Sequence, residues 1–169
     1  MGKLKKEIKI GDMDYSLFRP KPFHLFRENF QELNIKKRIR FFLQALRGSF
    51  IYYAFKGGNV VGYIVFEPGK GFRYPFTEKR DLVISPYVVK EDCRGQGIGT
   101  RILIDSKKLV PGRKIYALVM DDNISSIKAM EKAGYTFEGY AEHSGIQRKY
   151  VLQSKKSEFL VYSLNPKDK

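Results

Sequence analysis

The segment Val88-Val89-Lys90-Glu91-Asp92-Cys93-Arg94-Gly95-Gln96-Gly97-Ile98-Gly99-Thr100 runs from an apolar stretch into a glycine-rich turn and directly into a helical pattern. Glycines let a backbone come close to a ligand, and successive N–H groups at a helix N-terminus favour negatively charged oxygens. A pyrophosphate fits such a corner, although the same glycines also suit a purely structural turn. The segment is not a Walker loop, since no Gly-Lys-Ser/Thr follows, nor a G-x-G-x-x-G fingerprint. A second run, Asp121-Asp122-Asn123-Ile124-Ser125-Ser126-Ile127-Lys128-Ala129-Met130-Glu131-Lys132-Ala133-Gly134-Tyr135, starts where Asn123 can cap a helix, hold a ligand, or do both.

These runs need strands before them and helices after. Residues 82–89 are an apolar run of strand length in which Pro86 removes one ladder donor and marks a bulge or the place where pairing stops. The following helix spans 97–109, with Ile98, Ile102, Leu103 and Leu109 inward and Pro111 and Gly112 ending it. Residues 114–120 form the next strand. Helix 123–133 then carries Ile124, Ile127, Met130 and Ala133 at threefold spacing and closes at Gly134 as a left-handed cap. Upstream, 50–55 and 60–66 make a hairpin about Lys56, Gly57, Gly58 and Asn59. A short strand is read at 4–10, with helices at 19–30 and 35–46, and two last strands near 136–143 and 159–164. The order is that of an α/β (α+β) layered domain.

No repeat, low-complexity segment or linker divides the chain, so residues 1–169 are read as one domain. One cysteine, Cys93, excludes an internal disulfide framework, and with two histidines it argues against a protein-built zinc site. The longest apolar run, 60–66, is broken by Gly62 and falls far short of the roughly 20 residues of a membrane helix. The start of the chain lacks the apolar stretch of a secretory signal, so the expected compartment is cytoplasmic. Thirty-two Lys and Arg against 18 Asp and Glu leave a net charge of +14, which favours phosphorylated ligands, nucleic acid or acidic surfaces without choosing among them.

Taken together, the two runs resemble the GNAT superfamily of acyl-CoA-dependent N-acetyltransferases. The family's R/Q-x-x-G-x-G/A signature is complete as Arg94, Gly97 and Gly99. Its Asn-x-x-Ser-Ile pattern, ending in Gly plus an aromatic, is complete as Asn123, Ser126, Ile127, Gly134 and Tyr135. The resemblance covers residues 50–164. It implies a mixed, mostly antiparallel sheet of six to seven strands flanked by helices, with a splayed central strand pair. It also implies acetyl-CoA as acyl-donor substrate, no metal, and a small-molecule or peptide amine as the partner, with no membrane; a homodimer stays open. By the same resemblance, the backbone of Val88, Val89 and Lys90 pairs with the pantetheine arm. Arg94 and the turn Gly95, Gln96, Gly97, Ile98, Gly99 and Thr100 receive the pyrophosphate, while Asn123 and Ser126 face the arm.

The implied chemistry is attack of a neutral amine on the thioester carbonyl, for which a backbone N–H near Val88 is the expected oxyanion donor. For the proton given to the leaving thiolate the family often uses a tyrosine seven residues beyond the asparagine, and this chain has Met130 there. A thioether cannot donate a proton. The substitutes are Tyr87, Ser126, Tyr135, Tyr140 and His143, of which Tyr87 and Ser126 join Val88 as the catalytic candidates; each also reads plainly as a strand, packing or capping residue. Glu91 and Asp92 lie near the motif but read as facing solvent. Cys93 has no histidine near it in sequence to make it a nucleophile.

The reading is an N-acetyltransferase that moves acetyl from acetyl-CoA to a primary amine within a ternary complex. The surplus positive charge suggests an anionic acceptor such as a nucleotide-linked amino sugar or an acidic peptide. Two rivals stand beside it. Met130 suits a non-catalytic acyl-CoA-binding module, and the charge alone suits a nucleic-acid-binding protein whose affinity falls steeply with salt.

Overall fold

In the computed structural model, which describes residues 7–19, 48–69, 74, 76–141 and 159–166, the chain opens with a hairpin. Strands β1 (Glu7–Ile10) and β2 (Met13–Phe18) turn at Gly11, whose φ of 63° suits a residue without Cβ. The hairpin of β3 (Phe50–Lys56) and β4 (Asn59–Pro68) follows, with Gly57 and Gly58 both at positive φ, the geometry a two-residue turn needs to match strand twist. Next come β5 (Leu82–Val89), a short 3-10 turn (Glu91–Cys93) and helix α1 (Ile98–Leu109). Strand β6 (Ile115–Met120), helix α2 (Ile124–Lys132), β7 (Thr136–Ala141) and β8 (Phe159–Leu164) complete the described chain.

Among the described residues eight strands form one sheet in the order β1-β2-β3-β4-β5-β6-β8-β7. All neighbours are antiparallel except β5 and β6. The sequence reading gives seven strands at most, and β2 is the addition. Its Met13, Tyr15 and Leu17 pack into the main core while Asp14 and Ser16 take the other face, an alternation too short to separate from loop by pattern alone. Leu4 to Lys6, the helix at 35–46, all but Arg19 of the helix at 19–30, and His24 and His143 lie outside the described residues.

The main core lies between one face of the sheet and the two helices. Ile98, Ile102, Leu103 and Leu109 of α1 are buried, as their spacing requires, against Leu82, Ile84, Ile115 and Ala117. Helix α2 departs from its expected stripe: Met130 is buried and Ile127 and Ala133 pack, but Ile124 is 54% exposed. At 3.6 residues per turn each three-residue step slips by about 60°, so four such residues sweep about 180° and cannot all face inward.

Helix α1 is also tied to the first hairpin by a buried carboxylate. Asp105, 1% exposed, accepts a 2.7 Å hydrogen bond from the Tyr15 hydroxyl and a 2.9 Å bond from Arg101 Nε. Arg101 also donates to the Ile10 carbonyl at 3.0 Å. Both bonds to Asp105 engage an ionised acceptor, the kind that offsets the desolvation of a buried charge.

Candidate active site

Two features of β5 create the site. Opposite β4, Tyr87 pairs with Ile64 and Ile84 with Phe66, so Ser85 and Pro86 together face Val65 in a bulge, as Pro86 suggests. The extra residue shifts the side-chain alternation: Leu82 and Ile84 face the helices before it, Tyr87 and Val89 after it. Opposite β6, parallel pairing covers only Leu82 to Ile84 with Ile115 to Ala117. Beyond that β6 continues with β8 and β5 with β4, and a gap opens between them. This is the splayed pair expected from the resemblance.

The polar backbone that lines the gap follows from strand alternation. Lys90 N–H donates to the Val61 carbonyl of β4 at 2.9 Å. N–H groups alternate sides along a strand, so Val88 N–H also turns to β4, while those of Tyr87 and Val89 turn to the gap. The Val88 carbonyl agrees, because a Cβ built on Gly62 of β4 would stand 2.5 Å from it. Of the backbone N–H groups near Val88, the region expected to supply an oxyanion donor, that of Val88 itself is therefore taken up toward β4, and those of Tyr87 and Val89 are the ones turned to the gap. Gly62, which the sequence reading passes over except as a break in an apolar run, is the residue that permits this approach of β4 to β5.

At the end of β5 the chain turns through Gly95 and Gly97, both at φ 75°, and enters α1. The first backbone bond of the helix runs from Arg101 N–H to the Gly97 carbonyl. Ahead of it, the six N–H groups of Gly95, Gln96, Gly97, Ile98, Gly99 and Thr100 donate to no carbonyl among the described residues. A helix leaves its first four amides without partners, and here the turn adds two more. A Cβ placed on Gly95 or Gly97 would meet nothing within 4 Å, so the corner is open. Gln96 steadies the turn by donating from Nε2 to the Asp92 carbonyl.

The side chains around the corner are less uniform. Arg94 Nε donates to the Val89 carbonyl at 3.3 Å. Lys90 is held by Asp92 at 2.9 Å, which pushes the lysine up and the aspartate down from their ordinary pKa ranges. Cys93 donates from Sγ to Asp92 Oδ1, and desolvation followed by that carboxylate raises the thiol. A raised thiol holds less thiolate, which weighs against Cys93 as a nucleophile.

Across the gap, Asn123 caps α2: its Oδ1 accepts from Ser126 N–H at 3.2 Å and from Ser125 Oγ at 3.0 Å. The Asn123 amide N–H₂ keeps its donors, with no partner among the described residues. Ser126, fixed by that cap, accepts a 3.3 Å hydrogen bond from the Tyr87 hydroxyl. The other substitutes for Met130 separate out. Tyr135 is buried and shares a 2.8 Å bond with Ser106, and Tyr140 is 64% exposed on β7, beyond both β6 and β8. Met130 itself is 1% exposed in the main core. Among the described residues no group of three or more His, Cys, Asp or Glu is placed to hold a metal, and no helix is long and apolar enough to cross a membrane.

A strand that parts from its parallel neighbour and delivers a row of free amides at a helix start is the geometry on which comparison with known proteins bears. The family model described as the acetyltransferase (GNAT) family matches residues 15–135. This chain belongs to the GNAT acetyltransferase family. The protein YwnH of Bacillus subtilis (strain 168), named provisionally as a phosphinothricin acetyltransferase, is 31% identical over 105 residues, 58% of this chain and 61% of that protein. A Bacillus anthracis protein solved with acetyl coenzyme A, named provisionally as a streptothricin acetyltransferase, superposes with a TM-score of 0.51. It is 19% identical over 69% of this chain and 63% of its own. A Bacillus subtilis acetyltransferase solved with CoA gives a TM-score of 0.60 at 17% identity, covering 89% and 97% of the two chains. The matches to YwnH and to the Bacillus anthracis protein span less than two thirds of those relatives.

Proposed function

We propose that this chain transfers an acetyl group from acetyl-CoA to a primary amine by direct attack in a ternary complex. The observation that carries the reading is the row of six unengaged amides from Gly95 to Thr100 beside the open end of the β5–β6 gap. Such a row stabilises a diphosphate through fixed N–H donors and the field of the helix N-terminus. The pantetheine arm then extends along the free edge of β5 as an added strand, using the N–H of Val89 and the side-chain amide of Asn123. The thioester carbonyl reaches the N–H of Tyr87, a donor that gains most as charge develops on the oxygen.

The amine attacks as the neutral species, the C–S bond breaks, and CoA leaves with a proton. A net charge of +14 supports an anionic acceptor, an amino sugar nucleotide or an acidic peptide. The test is a CoA-release assay over anionic and neutral amines at several salt concentrations. Turnover is expected, faster for the anionic amines and slowed by salt; equal rates independent of salt remove the anionic acceptor. The buried Met130 favours a second reading, a non-catalytic acyl-CoA-binding module, and CoA affinity without turnover across the whole panel decides for it.

A further inference from the structure

The gap that would admit the donor's arm is flanked on its helix side by a side-chain hydrogen bond between β5 and α2. Tyr87 lies on β5 beyond Ile84, the last residue paired with β6, and Ser126 lies on α2, the element that follows β6. Their hydroxyls meet at 3.3 Å. Each is held from a second direction. A Cβ on Gly99 would stand 3.5 Å from Tyr87 Cε2, so the tyrosine ring rests against the backbone of the first turn of α1. Ser126 is fixed through its own N–H by Asn123. The backbone N–H of Tyr87 turns to the gap in the plane of the sheet, while its half-buried side chain stands on the helix side, so the phenol flanks the gap where β5 faces α2.

We infer that Tyr87 is the acid that protonates the departing CoA thiolate, with Ser126 as its positioning residue. The inference rests on the acetyl-CoA reading above. As the C–S bond breaks its electron pair stays on sulfur, and the sulfur takes the proton from Tyr87 Oη. The phenolate then takes back a proton from the acceptor nitrogen, which is positively charged after attack, so the proton count closes without another reactant. Ser126 suits its part because a hydroxyl has both a donor and acceptor lone pairs. It accepts from the phenol at rest and turns to donate to the phenolate. The side chain at 130 is thereby released from catalysis, in keeping with its place in the core.

The test uses CoA itself, so it needs no acceptor. Binding of CoA to the wild-type chain, Tyr87→Phe and Ser126→Ala is measured calorimetrically, and the ionisation of the bound thiol is followed against pH by thiolate absorbance. Tyr87→Phe keeps the backbone amide and removes only the phenol. All three chains are expected to bind CoA within a few-fold of one another. A donor lost from sulfur disfavours the thiolate, so the ionisation midpoint should rise by about one pH unit, a tenfold change, in Tyr87→Phe and by less in Ser126→Ala. With an accepted amine, kcat in Tyr87→Phe should fall about tenfold to a hundredfold with KM for acetyl-CoA little changed. Equal thiol midpoints in chains that all bind CoA overturn the role of Tyr87 alone. No CoA binding by the wild-type chain overturns the donor reading and this inference with it.

Discussion

Replacing Gly97 by Asp, with Gly97→Ala as its control, separates backbone strain from electrostatics at the proposed diphosphate corner. Gly97 sits at φ 75°, where an L-residue is disfavoured by about 1–2 kcal/mol. A Cβ there meets nothing within 4 Å, so both variants share that modest penalty and add no clash. A domain stable by about 5–15 kcal/mol stays folded under it. The aspartate adds a charge beside the phosphates. A pair of like charges 4 Å apart is unfavourable by about 1 kcal/mol in water and about 4 kcal/mol at an effective dielectric of 20. At an open corner the lower part of that range applies, and two phosphate charges give about 2–4 kcal/mol. The expected loss of CoA affinity is therefore roughly 30-fold to 1,000-fold relative to Gly97→Ala. Calorimetric titration at low and high salt measures it, and the deficit should shrink as salt screens the repulsion. Equal affinities for the Asp and Ala variants at low salt refute the placement.

Further expectations follow from packing and titration. Asp105→Ala leaves the Tyr15 hydroxyl buried without its partner, while Arg101, partly exposed, keeps Asp12 and the Ile10 carbonyl. The denaturant midpoint should drop by the equivalent of about 2–3 kcal/mol, against about 1 kcal/mol for Tyr15→Phe; a neutral Asp105→Ala would show the clasp to be idle. Gly62→Ala puts a Cβ 2.5 Å from the Val88 carbonyl, which forces β5 to move at the site. Stability should fall by about 1–3 kcal/mol, with a larger fractional loss of CoA release than the folded population explains; wild-type values for both sink that account. Burial, with the Asp105 bond second, raises Tyr15, and burial raises Tyr135 against a smaller opposing effect of Ser106. A raised tyrosine lends stability that is complete below its unfolded pKa near 10 and is lost as pH climbs toward the folded value. Phenolate absorbance should therefore show these two of the eleven tyrosines ionising only as the chain unfolds in alkali, and one reversible wave for all eleven contradicts it.

The parts of the fold that were legible in the sequence are those whose signal is local. Residues 82–89 and 159–164 are strands as read, because a run of apolar residues bounded by turn formers leaves few alternatives. The hairpin turn at Gly57 and Gly58 and the cap at Asn123 are equally local, set by positive φ and by one side-chain acceptor. Pro86 even marks the bulge. What stayed hidden is what depends on register. Whether Val88 or its neighbours face the gap turns on counting one extra residue against β4, which the β5 sequence does not contain. The meeting of Tyr87 with Ser126 joins residues 39 apart through tertiary packing. Asp105 could have been flagged, since a carboxylate four residues after Arg101 falls on the side that Ile98 and Ile102 bury.

The claim beneath the rest is that the donor's diphosphate rests on main-chain amides. Amide resonances of the ¹⁵N-labelled chain titrated with CoA address it residue by residue. The account predicts that the N–H signals of Gly95 through Thr100 shift together and saturate with CoA, accompanied by those of Tyr87 and Val89. Saturable binding of CoA that leaves this row unmoved, with the shifts gathered elsewhere on the sheet, contradicts it.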